Sequence, residues 1–173
     1  MPLNMEFKAR VADLDGARNW LISRRARFIG IDEQRDVYFR VPEGRLKLRM
    51  GNIERALIYY RRAEENDIKR SDVWLYPVQD GDALKQLLAL SLGILADVSK
   101  RREIYFIGPA KFHLDHVMGL GYFVEVEVID QASTADVQEL EKLATYYLEE
   151  LHIAREQLVR ASYLDLLLAI NDR

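Results

Sequence analysis

The sequence predicts an α+β fold, a closed eight-stranded antiparallel β-barrel with helices packed outside it, and three observations point there. Eight extended runs are bounded by glycine, proline and acidic turn residues. Along at least four of them charged and apolar residues alternate, so one face of each strand is charged. The few helical patterns carry single apolar faces, as helices packed on one sheet system do.

The first run, Leu3 to Val11, alternates Asn4, Glu6, Lys8 and Arg10 with Leu3, Met5, Phe7 and Ala9. A helix follows, with Asp13 or Asp15 at its N-cap, Ala17, Leu21 and Phe28 near helical spacing, and Gly30 beyond its end. "DVYFRVPEGRLKLRM" supplies two strands around a hairpin turn at Pro42, Glu43 and Gly44, and "RALIYYRRA" and "SDVWLYPV" supply two more. A second helix starts at Asp80 or Asp82 and stops at Gly93. "DVSKRREIYFIG", "AKFHLDHVMG" and "YFVEVEVID" are the last strands, punctuated by Gly108-Pro109, Gly119 and Gly121. From Ser133 the pattern is helical, with Ser133 and Asp136 resembling a capping box and Leu140, Leu143, Tyr147 and Leu151 on one face. A last helix spans Ser162 to Ile170.

Bulk properties narrow the function. A chain of 173 residues, 49% hydrophobic and 31% charged, is globular in composition and fits one domain, residues 1–173. The net charge of -3 argues against a surface built for nucleic acid, although a local basic pocket is compatible with it. Cysteine is absent, which excludes disulfides, thiolate metal sites and a cysteine nucleophile. With no apolar run long enough for a membrane span and no secretory leader pattern, the expectation is a cytoplasmic protein without membrane association.

The charged strand faces carry the chemistry. Arg45, Lys47 and Arg49 share one face, as do Lys100 and Arg102, His113 and Asp115, and Glu125 and Glu127; Arg61 extends the pattern. A solvated face explains any single strand. It does not explain why cations and carboxylates are sorted by strand. Eight antiparallel strands can close around one small ligand. Turned inward, Lys8, Arg10, Lys47, Arg49, Arg61, Lys100 and Arg102 would repel one another unless an anion balanced them. Arginine forks and lysine point charges suit a chain of phosphates, and Glu6, Glu125 and Glu127 are hard oxygen donors for Mg²⁺ or Mn²⁺. The combination points to metal-assisted chemistry on a triphosphate.

These same residues resemble a known family. "NMEFKAR" is similar to the N-terminal ExExK signature of the CYTH superfamily, the triphosphate tunnel metalloenzymes, and "GRLKLR", "SKRREIYFIG" and "HLDHVMGLGYFVEVEV" resemble its later basic and acidic strands in order. "FHLDHVMGLGYF" and "ASYLDLLL" look most like the class IV adenylate cyclase branch. The resemblance implies a barrel forming a tunnel, a divalent metal, a triphosphate substrate and a homodimer. It makes Glu6, Glu125 and Glu127 metal ligands and Lys8, Arg10, Lys47, Arg49, Arg61, Lys69, Lys100 and Arg102 substrate contacts, with Arg45 in a similar position. Lys8, Asp115 and Arg102 become catalytic candidates. One position departs: the first glutamate of the signature is Asn4, which can coordinate through its carbonyl oxygen but brings no charge, favouring one metal over two.

The reaction expected is conversion of ATP to cyclic AMP and pyrophosphate. Hydrolysis of inorganic or thiamine triphosphate is an alternative, and non-catalytic binding of triphosphate or polyphosphate is another. His113 can orient substrate or be a buried structural residue, whereas His116 and His152 read as structural. Tyr59, Tyr60, Tyr105 and Tyr122 can stack a base or simply pack.

Overall fold

Alternating residues become strands wherever turn residues bound them. The computed structural model describes residues 3–62, 68–130 and 136–171, with Leu3, Arg62 and 69–71 in backbone only. Its strands are β1 (Leu3–Val11), β2 (Arg27–Phe39), β3 (Arg45–Met50), β4 (Arg55–Arg62), β5 (Lys69–Pro77), β6 (Ile94–Ile107), β7 (Ala110–Val117) and β8 (Gly121–Asp130). The helices are α1 (Asp15–Ser23), α2 (Gly81–Leu92), α3 (Val137–Glu150) and α4 (Tyr163–Asn171). All strand pairs are antiparallel, in the order β1-β5-β4-β3-β2-β6-β7-β8, and β8 in turn pairs with β1. The β1–β5 seam is short, running from Leu3 opposite Asp72 to Glu6 opposite Lys69.

Most of the apolar core lies outside this ring of strands, while Ala56, Ile58 and Tyr60 form a buried cluster that lines the cavity within. Phe7 and Met5 of β1, Phe112 and Leu114 of β7, and Val124, Val126 and Val128 of β8 point outward under Leu21 of α1 and Leu140, Ala144 and Tyr147 of α3. α2 covers Val37, Phe39 and Leu48 with Leu84 and Leu88, and Tyr163 and Leu164 of α4 pack on Val98 and Phe123. Burying side chains of this size contributes about 1.5–3 kcal/mol each. The opposite faces of β1, β3, β6, β7 and β8 are thereby left free for polar groups.

Two expectations change. The first helix is shorter than its periodicity predicts: Arg25 takes a left-handed φ of 53° and ends α1, and 27–30 enter β2 instead of continuing the helix. Gly30, at a φ of 149°, sits where the β2–β6 register slips by one residue, a bulge that accommodates the change. The second helix begins as expected, with the Asp80 carboxylate accepting from the Ala83 amide, and α3 is capped by Asp136 through the Gln138 amide. Ser133, the other half of the expected capping box, lies outside the described residues. Among the described residues no helix is long and apolar enough to cross a membrane.

Candidate active site

The inward faces of the strands enclose a cavity of about 280 Å³. Asn4, Glu6 and Lys8 line it from β1, Lys47 and Arg49 from β3, Lys100 and Arg102 from β6, Lys111 and His113 from β7, and Glu125 and Glu127 from β8. β4 and β5 contribute a different surface: Ala56, Ile58, Tyr60, Val73 and Leu75 form an apolar wall. Ser162 and Tyr163, at the head of α4, reach the same space.

One carboxylate organises three of the cations. Asp36 on β2, wholly buried, accepts two hydrogen bonds from the Arg49 guanidinium, both at 2.9 Å, one from Lys100 Nζ at 2.9 Å and one from Lys47 Nζ at 3.1 Å. Burial alone would raise its carboxyl, but the three cations hold it well below the ordinary range. Lys100 shows the cost of this crowding: burial pushes its ammonium down to about 7, with Arg49 and Arg102 adding repulsion that Asp36 only partly offsets. Glu54, from the turn between β3 and β4, accepts from Arg49 Nη1 at 3.0 Å and from Lys111. That turn is fixed by Asp32, whose oxygens accept from the Ile53 and Glu54 amides at 2.8 and 3.0 Å. Any side chain at Gly51 would collide with the same carboxylate.

Arg102 is held from the other side. Asp115 takes its Nε at 2.7 Å and its Nη2 at 2.6 Å, and also accepts from the Tyr163 hydroxyl at 2.7 Å. Glu125 lies 3.4 Å from the same guanidinium. Lys8 Nζ donates to the Ala161 carbonyl at 2.6 Å and sits 4.4 Å from the centre of the Tyr163 ring. Some of the cavity's cations are therefore partly balanced within the protein, Lys47, Arg49 and Lys100 by Asp36, Arg49 and Lys111 by Glu54, and Arg102 by Asp115. A positive surplus remains for an anion to balance, as the sequence leads one to expect.

Next to Arg102 the charge changes sign. Donor atoms of His113, Glu125 and Glu127 lie within 4.8 Å of one another. Burial, and after it the negative charge of Glu125, push the Glu127 carboxyl up to about 7, whereas Arg102 keeps Glu125 well below the ordinary range against the effect of burial. Burial pushes the His113 imidazole down to about 4. Two crowded carboxylates with a neutral imidazole fit a divalent cation, which would remove the repulsion that raises Glu127. Asn4 Oδ1, also lining the cavity, is buried without a hydrogen-bond partner, so it retains a free lone pair for a cation or substrate.

Of the residues the sequence singles out, Glu6, Lys8, Lys47, Arg49, Lys100, Arg102, Glu125 and Glu127 all line the cavity. Asp115 lies behind Arg102. Glu6 stands opposite Glu127 across the β1–β8 pair, while the tight donor group contains His113 in its place. Arg61 corrects the sequence reading: it is exposed on the outer face, bonded to the Tyr59 hydroxyl and paired with Glu43. Because Ile58 and Tyr60 are the inward residues of β4, its charged face points out. Arg10 is likewise exposed, stacked on Phe123 and bonded to the Leu120 carbonyl, and Arg45 pairs with Asp165 of α4. The Lys69 side chain lies outside the described residues. Of the four tyrosines considered for stacking, only Tyr60 lines the cavity; Tyr59 packs on Trp74, Tyr105 on Phe28 and Tyr122 on His116.

Asp36, Glu54, Lys111 and Tyr163 are site residues the sequence reading missed. Lys111 and Asp36 were findable, since Lys111, His113 and Asp115 alternate along β7 and Asp32, Gln34 and Asp36 along β2. Glu54 sits in a turn and Tyr163 at a helix start, where no alternation marks a side chain as inward.

The CYTH domain model matches residues 2–163, and the chain belongs to that family. An adenylate cyclase, CyaB of Aeromonas hydrophila, is 29% identical over 175 residues, covering 92% of this chain and 85% of the relative. The PH1012 protein of Pyrococcus horikoshii superposes with a TM-score of 0.83 at 26% identity, covering 94% of this chain and 98% of that one. A conserved hypothetical protein of Pyrococcus furiosus shares the fold at a TM-score of 0.81 and 24% identity, over 94% and 99% of the two chains.

Proposed function

We propose that this chain is a metal-dependent, class IV-type adenylate cyclase that converts ATP to cyclic AMP and pyrophosphate. The observation that carries the reading is the convergence in one cavity of cations from β1, β3, β6 and β7, a carboxylate-rich corner on β8 and an apolar wall on β4 and β5. The adenylate cyclase relative, which covers nearly the whole chain, supports it.

Lys47, Arg49 and Lys100 receive the phosphate chain, pre-oriented by Asp36, so little reorganisation is needed on binding. Arg102 and Lys8 meet the reacting end, where negative charge moves to the pyrophosphate leaving group. Asp115 acts through Arg102: both its oxygens are engaged, and it positions the guanidinium rather than taking a proton. Glu125 and Glu127, with Glu6 and Asn4 alongside, would hold a divalent cation, which would supply further neutralisation of the phosphates; Mg²⁺ and Mn²⁺ are the candidates. The ribose 3′-oxygen forms a bond to the α-phosphorus as the bond to pyrophosphate breaks, and the 3′-hydroxyl proton passes to water. The apolar wall, with Tyr60, takes the nucleoside. That wall favours an organic triphosphate over bare tripolyphosphate, for which a polar lining all round would serve better. The ATP requirement and the absence of cysteine fit a cytoplasmic enzyme.

The test is to incubate the purified protein with ATP, thiamine triphosphate or tripolyphosphate and either metal, and to resolve the products by anion exchange. Equimolar cyclic AMP and pyrophosphate from ATP is the expected result. Orthophosphate with the corresponding diphosphate, and no cyclic AMP, would make the protein a triphosphatase, and metal-dependent binding without turnover of any substrate would make it a binding module.

A further inference from the structure

We infer that His113 is a nitrogen ligand of the metal, so that His113, Glu125 and Glu127 form a mixed imidazole–carboxylate centre that prefers a transition-metal dication to Mg²⁺. This rests on the metal-dependent reading above and goes beyond an all-oxygen site.

The geometry begins with strand register. His113 on β7 stands directly opposite Glu125 on β8, and Lys111 opposite Glu127, so one inward step along β7 sets the imidazole between the two carboxylates. His113 Nδ1 lies 3.1 Å from Glu125 Oε1 and 3.9 Å from Glu127 Oε1. Three donors from two adjacent strands thus face a common point, and strands hold donors more rigidly than loops do.

An independent observation concerns the other ring nitrogen. His113 is 1% exposed, it lines the cavity, and its Nε2 has no hydrogen-bond partner. A buried polar atom left unsatisfied costs about 1–3 kcal/mol. Its chain neighbours Phe112 and Leu114 are buried on the outer side of the same strand, within the apolar core. A residue needed only to fill space at position 113 would avoid that cost. A ligand in the cavity explains the imidazole, because either ring nitrogen can then be used: one toward the cation and the other toward a carboxylate or substrate oxygen.

Ligand chemistry then sets the ion. Mg²⁺ takes oxygen donors almost exclusively and keeps its waters, whereas imidazole raises affinity along the first-row series from Mn²⁺ upward. Replacing one oxygen donor by His113 therefore moves the centre toward Mn²⁺ and its neighbours. Asn4 acts in the same direction, since its amide adds no negative charge to hold a hard cation.

The probe is Mn²⁺ added as the chloride to the full chain, read by pulsed electron paramagnetic resonance with histidine of natural nitrogen or labelled with ¹⁵N. The expected result is a nitrogen modulation that changes frequency with the label and disappears in His113→Gln. The other two histidines are placed elsewhere: His116 stacks on Tyr122, and His152 follows the end of α3. Competition with Mg²⁺ should give a Mn²⁺ preference that falls by roughly tenfold in the variant, the scale of effect seen when a metal's immediate surroundings are altered. A single bound Mn²⁺ without nitrogen modulation in the wild-type protein would overturn the inference while leaving the metal-dependent reading intact. Modulation that survives in His113→Gln would overturn it too, by assigning the nitrogen elsewhere. If no Mn²⁺ binds at all, both readings fail. The isotope comparison uses the unaltered protein and so does not depend on the variant folding.

Discussion

The two ends of the polar cavity solve opposite electrostatic problems. Around Asp36 one carboxylate serves three cations, and burial, with the neighbouring cations adding to it, pushes Lys100 down to about 7. Around Glu125 two carboxylates and an imidazole meet beside one arginine, and burial, followed by the Glu125 charge, pushes Glu127 up to about 7. Each end lacks what the other would attract: the first an anion, the second a cation. A metal-bound polyphosphate supplies both at once, in the spatial order the cavity requires.

Removing the anchor of the cationic end should have the largest effect. Asp36→Ala leaves Lys47, Arg49 and Lys100 facing one another without their shared partner and should lower stability by about 3–5 kcal/mol in urea denaturation. Tripolyphosphate should raise the midpoint of this variant more than that of the wild type. A loss below about 1 kcal/mol would mean that the three cations do not depend on Asp36.

The acidic end gives a pH-dependent effect of somewhat smaller size. The Glu127 carboxyl titrates at about 7 in the folded chain against 4.5 as its ordinary value, so the folded state binds the extra proton between these limits. Its contribution to stability is complete below pH 4.5 and is lost as pH rises through 7, to a total of about 3 kcal/mol without metal. Glu127→Gln should abolish that loss, seen as a flatter profile of stability against pH than the wild type gives. Divalent cation should restore the wild type most strongly above pH 7, where it replaces the proton.

The apolar wall is the control for both ends. Ile58→Ala should raise the KM for ATP by about tenfold, the scale of a lost apolar contact, while the affinity for tripolyphosphate stays unchanged. Equal losses for the two ligands would show that the wall does not read the nucleoside. The smallest effect belongs to Arg61→Ala: with the side chain outside the ring and exposed, Tm and turnover should match the wild type.

The contrast between β4 and the charged strands also explains what was legible in the sequence. On β1, β3, β6 and β8, polar residues point in and apolar residues point out toward the helices, so the period of two combined with the charged stripe identifies the cavity lining. On β4 the rule is inverted. Ile58 and Tyr60 face the cavity and Arg61 faces solvent, so a reading that assigns faces by charge takes the wrong phase. β2 was read too short because Ala17, Leu21 and Phe28 fit a helical period, and nothing local announces that Arg25 would turn left-handed. Glu54 enters the site through a tertiary device, the Asp32 carboxylate holding its turn, which spacing along the chain does not encode. The sequence alone leaves His113 between an orienting and a structural role. Its position opposite Glu125 depends on the β7–β8 register.

The placement of the apolar core outside the ring of strands has a consequence for how such a protein can change. In most domains a substitution aimed at the interior disturbs the packing that holds the fold. Here the greasy layer between strands and helices carries the fold, and the cavity residues stand on its far side. A substitution on the cavity face can therefore change ligand contacts with little disturbance of the packing between strands and helices.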